Sequence, residues 1–287
     1  MTTRRGFTLV ELLMALVLFG IVGTALYQLL VNNQRLYQEQ TQRVQVNESA
    51  RAAISLLPGE LRELNAADTA ESDIVAMTAT SLTYKAMRGL YVLCQPPNSG
   101  GLQVTVNDTL FYGVRRLQPT QDSLLIFREG DTDTRTDDGW LHANVTTAVG
   151  GNACPGGGQS LQLQLSGVTS ADLDGVTVGA PLRNFEVAQA LIYADAAGDQ
   201  WLGGRLYLKA SGAWSGTQPI VGPLSATGLQ LAYYDATGAA TGTPASVARV
   251  GITVQSRSAR AVTRSPTGFN YLLQNLMTHV ALRNNPN

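Results

Sequence analysis

Arg4-Arg5-Gly6-Phe7-Thr8-Leu9-Val10-Glu11-Leu12-Leu13 opens an apolar run that continues to about Val31, and the rest of the chain is arranged around it. From Leu12 to Val31 the polar side chains are Thr24, Gln28 and the phenol of Tyr27. Roughly 20 such residues cross roughly 30 Å of hydrocarbon as a helix. Arg4 and Arg5 precede the run and no Lys or Arg follows until Arg35, a bias that holds the N-terminus in the cytoplasm and sends the remaining chain outward. A secretory signal fits poorly, because the run exceeds the usual 7–15 or so residues and no A-x-A-like site stands in Asn32-Asn33-Gln34-Arg35-Leu36-Tyr37. A plain anchor leaves Glu11 unexplained, since a carboxylate in a span is costly and asks for a partner.

Gly6-Phe7-Thr8-Leu9-Val10-Glu11 resembles the processing motif of type IV prepilins and pseudopilins. The resemblance covers a basic leader at 1–6, a new N-terminal Phe7, a Glu at the fifth mature position and a retained apolar helix with Gly20 inside it. It implies that a prepilin peptidase cuts after Gly6 and that Phe7 is then N-methylated. It also implies that Glu11 attracts the Phe7 ammonium of a neighbouring subunit. Opposite charges attract far more strongly at low dielectric than in water, and pairing offsets part of the desolvation of each.

Composition, read without the family, agrees. More than 200 of the 287 residues lie beyond the span, enough to bury a sizeable core. Charged residues are only 14%, and 29 Gly with abundant Thr, Gln and Asn suit an extracytoplasmic chain of strands and turns. Lys85 and Lys209 stand against 18 arginines, a skew that genome composition accounts for. Residues 65–182 carry 6 basic and 12 acidic side chains and residues 183–287 carry 8 and 4, so the charge is regional although the net is −1.

Beyond the span, residues 32–55 contain no Pro or Gly, and Leu36, Val44, Val46, Ala50, Ala53, Ile54 and Leu57 recur at roughly helical spacing. The helix therefore continues in water with one apolar stripe facing a head. Pro58-Gly59 predicts a kink or stop near Leu57 with one more turn to Leu64, because proline loses the bond to the preceding turn and clashes with it. From residue 65 the pattern changes to short strands between turn clusters, at 74–77, 81–87, 89–94, 102–106, 109–114, 123–128, 161–165, 187–193, 204–209, 229–234 and 247–256. The closing stretch 271–283 reads as an edge strand or a short helix, with the extended form favoured. The organisation expected is a leader at 1–6, a membrane half of the helix at 7–31, an amphipathic half at 32–64, a variable β-rich region at 65–182 and a C-terminal antiparallel sheet at 183–287. The fold class is α+β, a long N-terminal membrane-spanning helix packed on an antiparallel, sheet-rich, pilin-like head.

A second resemblance is one of pattern. Leu229-Gln230-Leu231-Ala232-Tyr233-Tyr234-Asp235, the turn at Thr237-Gly238, 247–254 and the closing Ala281-Leu282-Arg283-Asn284 resemble large minor pilins of the W type and the J-type minor pseudopilin of type II secretion. Pro58-Gly59, and Gln28 where major pilins often carry proline, depart from the abundant shaft subunit.

Cys94 and Cys154 lie on the side of the membrane where disulfides persist and are expected to be bridged. Other chemistry is sparse. Residues 131–139 have the acid density of a calcium loop but put Arg135 where an oxygen is wanted, so an acidic hairpin tip is the simpler account. His142 and His279 have no companion motif, and no catalytic residue, metal site or cofactor is expected. Arg249, Arg257, Arg260 and Arg264 with Phe269 and Tyr271 form a late basic cluster that would touch DNA phosphates or serve as a solvated strand face. The sequence thus leads to a minor pilin or pseudopilin that helps initiate or cap a type IV pilus or type II pseudopilus near its tip. Its expected partners are prepilin peptidase, other minor pilins or pseudopilins, the major subunit and the inner membrane, with weak DNA contact as an extra. The alternative is a filament-borne adhesin or DNA-binding module. Mass spectrometry should find a mature chain starting at methylated Phe7, and Gly6→Val should leave Met1 to Gly6 attached because a β-branched side chain does not fit a site that accepts glycine.

Overall fold

The computed structural model describes residues 8–66, 72–131, 133–134, 137–265 and 268–282. It contains one long helix, α1 (Leu9–Leu61), followed in chain order by β1 (Ile74–Met77), β2 (Ser81–Asn98), β3 (Gln103–Asn107), β4 (Tyr112–Gly113), β5 (Ser123–Arg128), β6 (Gly139–Gly151), β7 (Ser160–Ser166) and β8 (Pro181–Ala194). Then come β9 (Gln200–Leu208), β10 (Ala213–Trp214), β11 (Gln218–Tyr234), β12 (Arg249–Arg257), β13 (Thr263–Ser265), β14 (Gly268–Asn270) and β15 (Leu273–Ala281). The α+β class read from the sequence is the class observed, and the closing stretch is extended. The chain divides into two compact units, Met1–Glu48 with Arg257–Gln274, and Ser49–Ser256 with Asn275–Asn287.

In the first unit the helix is exposed from Leu9 to Leu30 around its whole circumference, with Phe19 76% exposed. A helix that is apolar all round is built for a membrane or for other helices. Beyond it the surface becomes polar, and Arg43 pairs with Glu39 one turn earlier at 2.7 Å. The other segment of this unit carries the β13–β14 hairpin, and the Gln42 amide oxygen accepts the Ala259 N–H at 3.1 Å.

In the second unit the last three turns of α1 bury Ala50, Ala53, Leu57 and Leu61, three or four residues apart, with Leu64 just beyond. This spacing puts them on one face. Ala53, Leu57, Leu61 and Leu64 share one core with Leu82 and Tyr84 of β2, Ala188 and Ala190 of β8, Leu202 of β9 and Leu231 of β11. The helix does not stop at Leu57. Pro58 costs the bond its own N–H would have made, and the burial of Leu57 and Leu61 in the same core holds the last turn, closed by the Arg62 N–H to the Pro58 carbonyl at 3.1 Å.

The strand pairings of this unit contain a closed ring. β2 pairs β3, β3 pairs β7, β7 pairs β6, β6 pairs β5, β5 pairs β8, and β8 returns to β2, every pair antiparallel. Alternate residues point inward on each strand: Tyr91 and Leu93, Val104 and Val106, Leu124 and Ile126, Ala143 and Val145, Leu163 and Leu165, with Leu182 from β8. This period-two filling makes the ring a small barrel with its own core, a second apolar cluster distinct from the one under the helix. The remaining neighbours, β9, β11, β12 and β15, extend the helix-covered sheet beyond β8.

β2 and β8 therefore belong to both layers, and they stay in register from Ser81↔Leu191 to Val92↔Pro181 with one irregularity, between Met87 and Gly89. Arg88 is the extra residue there. The bulge resets which side chains face inward, from Leu82, Tyr84 and Ala86 under the helix to Tyr91 and Leu93 in the barrel. Gly89 is required beside it, since a Cβ would stand 2.4 Å from the Phe111 ring and 2.6 Å from the Asn184 side-chain oxygen.

Two of the longest strands were shortened or missed in the sequence. β6 is rich in Gly, Thr, His and Asn, and it gives the barrel core only Ala143 and Val145 as fully buried side chains, with Leu141 and Ala148 partly buried against it. β11 begins before 229, through Pro219 and Pro223, which the chain accommodates with register shifts at Pro219/Val221 and Val221/Leu224. Only Tyr112–Gly113 of the stretch 109–114 is paired as a strand. Leu61→Ala, at a side chain that is 0% exposed, should lower stability by about 2–5 kcal/mol, measured by urea unfolding of the second unit's tryptophan fluorescence.

Candidate functional site

Gly6 and Phe7 lie outside the described residues. Just after them, Thr8 begins the helix: its hydroxyl oxygen accepts the Glu11 N–H at 3.3 Å and its carbonyl accepts the Leu12 N–H at 3.2 Å. Thr8 and Glu11 thus stand at the N-cap and third positions, the places used by a capping box. The helix dipole favours a carboxylate in this first turn. Glu11 is exposed on the bare apolar helix, available to a neighbouring chain.

A second constellation was not legible in the sequence. At the bulge, the Arg88 guanidinium donates through Nε to Glu186 on β8 and through Nη1 to both Glu60 oxygens on α1 at 3.3 Å. Arg115, on the segment after β4, grips Asp122 with two bonds of 2.6 and 2.8 Å and reaches Glu186 at 3.0 Å. Asp122 is 0% exposed and also accepts the Asn184 amide at 2.9 Å and the Gln118 N–H at 2.8 Å. The hydrogen bonds to Asp122 hold the Arg115 guanidinium above the ordinary arginine value. Charges removed from water are tolerated when every lone pair finds a donor, and Asp122 approaches that condition. These groups sit between the two apolar cores and join helix, sheet and barrel.

The structure joins Cys94, near the end of β2, to Cys154, on the turn between β6 and β7, with Cα atoms 5.7 Å apart and a sequence separation of 60. Because β3 and β7 separate β2 from β6 in the ring, the bridge spans strands that share no hydrogen bonds. The histidines are packed apart from each other, His142 against Phe185 with centroids 5.5 Å apart and His279 against Tyr234 at 6.0 Å. Among the described residues no cluster of three or more His, Cys, Asp or Glu is arranged to hold a metal. Asp137 and Asp138 turn their oxygens to the N–H groups of Asp131 and Gly130 at 2.7 and 3.2 Å, the bonding of a hairpin tip. Arg249 and Arg257 stand at the two ends of β12 and stack on Tyr234 and Tyr271 at 4.8 and 4.6 Å. Arg260 is exposed, while the side chains of Arg264 and Phe269 lie outside the described residues.

Residues 1–27 match the family model described as the prokaryotic N-terminal methylation motif. The match supports a type IV pilin-like protein. With the apolar helix it supports anchoring in the inner membrane, processing by prepilin peptidase and assembly with other pilins, and it points to a structural filament subunit rather than an enzyme. No curated protein and no solved structure matches the chain.

Two stability outcomes follow from this geometry. Asp122→Asn should cost on the order of 3 kcal/mol, the low end for breaking a buried pair, because Arg115 keeps 25% of its side chain exposed; chemical denaturation measures it. Cys94→Ser and Cys154→Ser should each lower the melting temperature equally, since either removes the same closed loop, worth about 4 kcal/mol in the chain-entropy model. Unequal losses, or two free thiols by labelling of the native chain, would contradict the bridge.

Proposed function

We propose that the chain is a minor pilin or pseudopilin, cut after Gly6, methylated at Phe7, stored in the inner membrane with its head outside the cytoplasm, and used to start or cap a filament near its tip. The observation that carries this is the continuity of the Gly6-Phe7-Thr8-Leu9-Val10-Glu11 motif with a helix exposed on all sides from Leu9 to Leu30. Bare apolar surface of that extent needs lipid first and other helices afterwards. The head favours a minor place. A closed barrel added to every subunit of a shaft would crowd its neighbours, whereas near a tip it meets open solvent.

Glu11 supports a particular position for the subunit. A subunit at the extreme tip has no amine ahead of it to pair with, so the presence of Glu11 suits a position just below, with one partner ahead and others behind. Glu11→Ala removes a charge from the membrane, so insertion should be unharmed or improved, while recruitment into the tip complex should fall. Crosslinks from Leu12 to companion minor subunits, compared at equal membrane levels, read the second effect. Unchanged crosslinks would remove the basis for this placement.

A further inference from the structure

On the face of the β2–β8 ladder opposite the two cores lies a cleft of about 520 Å³. Its origin is topological. β8 is paired on one edge by β5 as far as Phe185 and then by β9 from Ala188, so that edge changes neighbours over Glu186 and Val187. Where the two neighbours diverge, the sheet opens. The walls are mainly carbon, from Val75, Phe185, Val187 and Tyr207, and the chain's only two lysines, Lys85 and Lys209, both reach into it.

We propose that this cleft binds a small organic carboxylate with an apolar body, anchored by Lys209. The two lysines are 124 residues apart in a chain that elsewhere uses arginine 18 times, yet they line one opening. Lysine presents a compact ammonium on a flexible stem, where arginine presents a wide planar fork. Lys85 is 6% exposed, with its ammonium 5.4 Å from the centre of the Phe185 ring. The Lys209 ammonium reaches across the gap to the Asp122 carbonyl at 3.3 Å, a neutral acceptor, and no carboxylate pairs with it among the described residues. Burial pulls this ammonium below the ordinary lysine value, with the charge of Asp122 opposing. A bound carboxylate supplies the countercharge that burial withholds, and the carbon walls take up the rest of the ligand. The volume falls within the range of about 300–1,000 Å³ usual for small-molecule sites. At the margin Ser123 and Asn144 are hydrogen-bonded to each other at 3.0 Å, and Glu186, which also lines the cleft, is taken up by Arg88 and Arg115, so Lys209 is the charged anchor on offer.

With two lysines in the chain, the full-length protein in detergent micelles labelled with ¹³Cε-lysine gives two signals, assigned from Lys85→Gln and Lys209→Gln. Titration with sodium benzoate should move the Lys209 signal saturably. Benzyl alcohol and sodium chloride at the same concentrations should not, and Lys209→Gln should weaken the benzoate response seen at Lys85 at least tenfold. Equal saturation by benzyl alcohol would show an apolar pocket without anion selectivity and overturn the proposal. A response that chloride reproduces would overturn it as well, and so would a Lys209→Gln protein that stays folded and keeps its benzoate affinity. None of these readouts depends on filament assembly, so the cleft and the pilin reading fail separately.

Discussion

The structure of the head depends on a ladder that must serve two cores with one face. β2 and β8 run together through eleven pairs, and at one end their inward side chains lie under the helix while at the other they fill the barrel. An uninterrupted ladder would carry apolar residues straight from one core into the next. Instead, Arg88, Asn184 and Glu186 occupy the middle, tied to Glu60, Arg115 and Asp122. Such a seam adds little to net stability when complete, but it penalises any register in which a buried charge loses its partner. A one-residue slip of β2 against β8 would turn apolar positions outward and separate Arg88 from Glu186 at once.

The parts legible in the sequence are those with local signals. The helix was readable because twenty apolar residues followed by a stripe at 50, 53 and 57 have no other stable arrangement. β1 and β5 coincide with their predicted limits because each is a compact apolar run bounded by turn residues. β11 was cut short because Pro219 and Pro223 argue against a strand unless bulges absorb them, and bulges depend on the neighbour. Closure of the barrel had no sequence signal, since it rests on which strands meet rather than on what each contains.

The polar seam was invisible for the same reason in stronger form. Glu60 and Arg88 are 28 residues apart, Arg115 and Glu186 are 71 apart, and Arg88 and Glu186 are 98 apart. Each taken alone reads as an ordinary surface charge. Glu60 in particular looked like part of a last helical turn after a proline, whereas its carboxylate faces Arg88 of β2. Arg249 and Arg257, which the sequence grouped as a basic cluster, are separated by the length of a strand and each is laid against a tyrosine ring. At the N-terminus Thr8 was noted only as part of a motif, yet it is also the residue that starts the helix.

The chain leaves the β2–β8 ladder after Val92 and rejoins it at Pro181, and those two residues face each other across the ladder. Everything between them departs from and returns to a single doorway. Closing a longer excursion through a fixed doorway costs only about 0.6 kcal/mol for each doubling of its length. The helix-covered sheet can therefore carry a decoration of very different size or sequence with little change to its own stability, provided Arg115 and Asp122, the two residues of the excursion that reach back into the seam, keep their places. Variation of the barrel and constancy of the helix-covered sheet become separable tasks for one polypeptide.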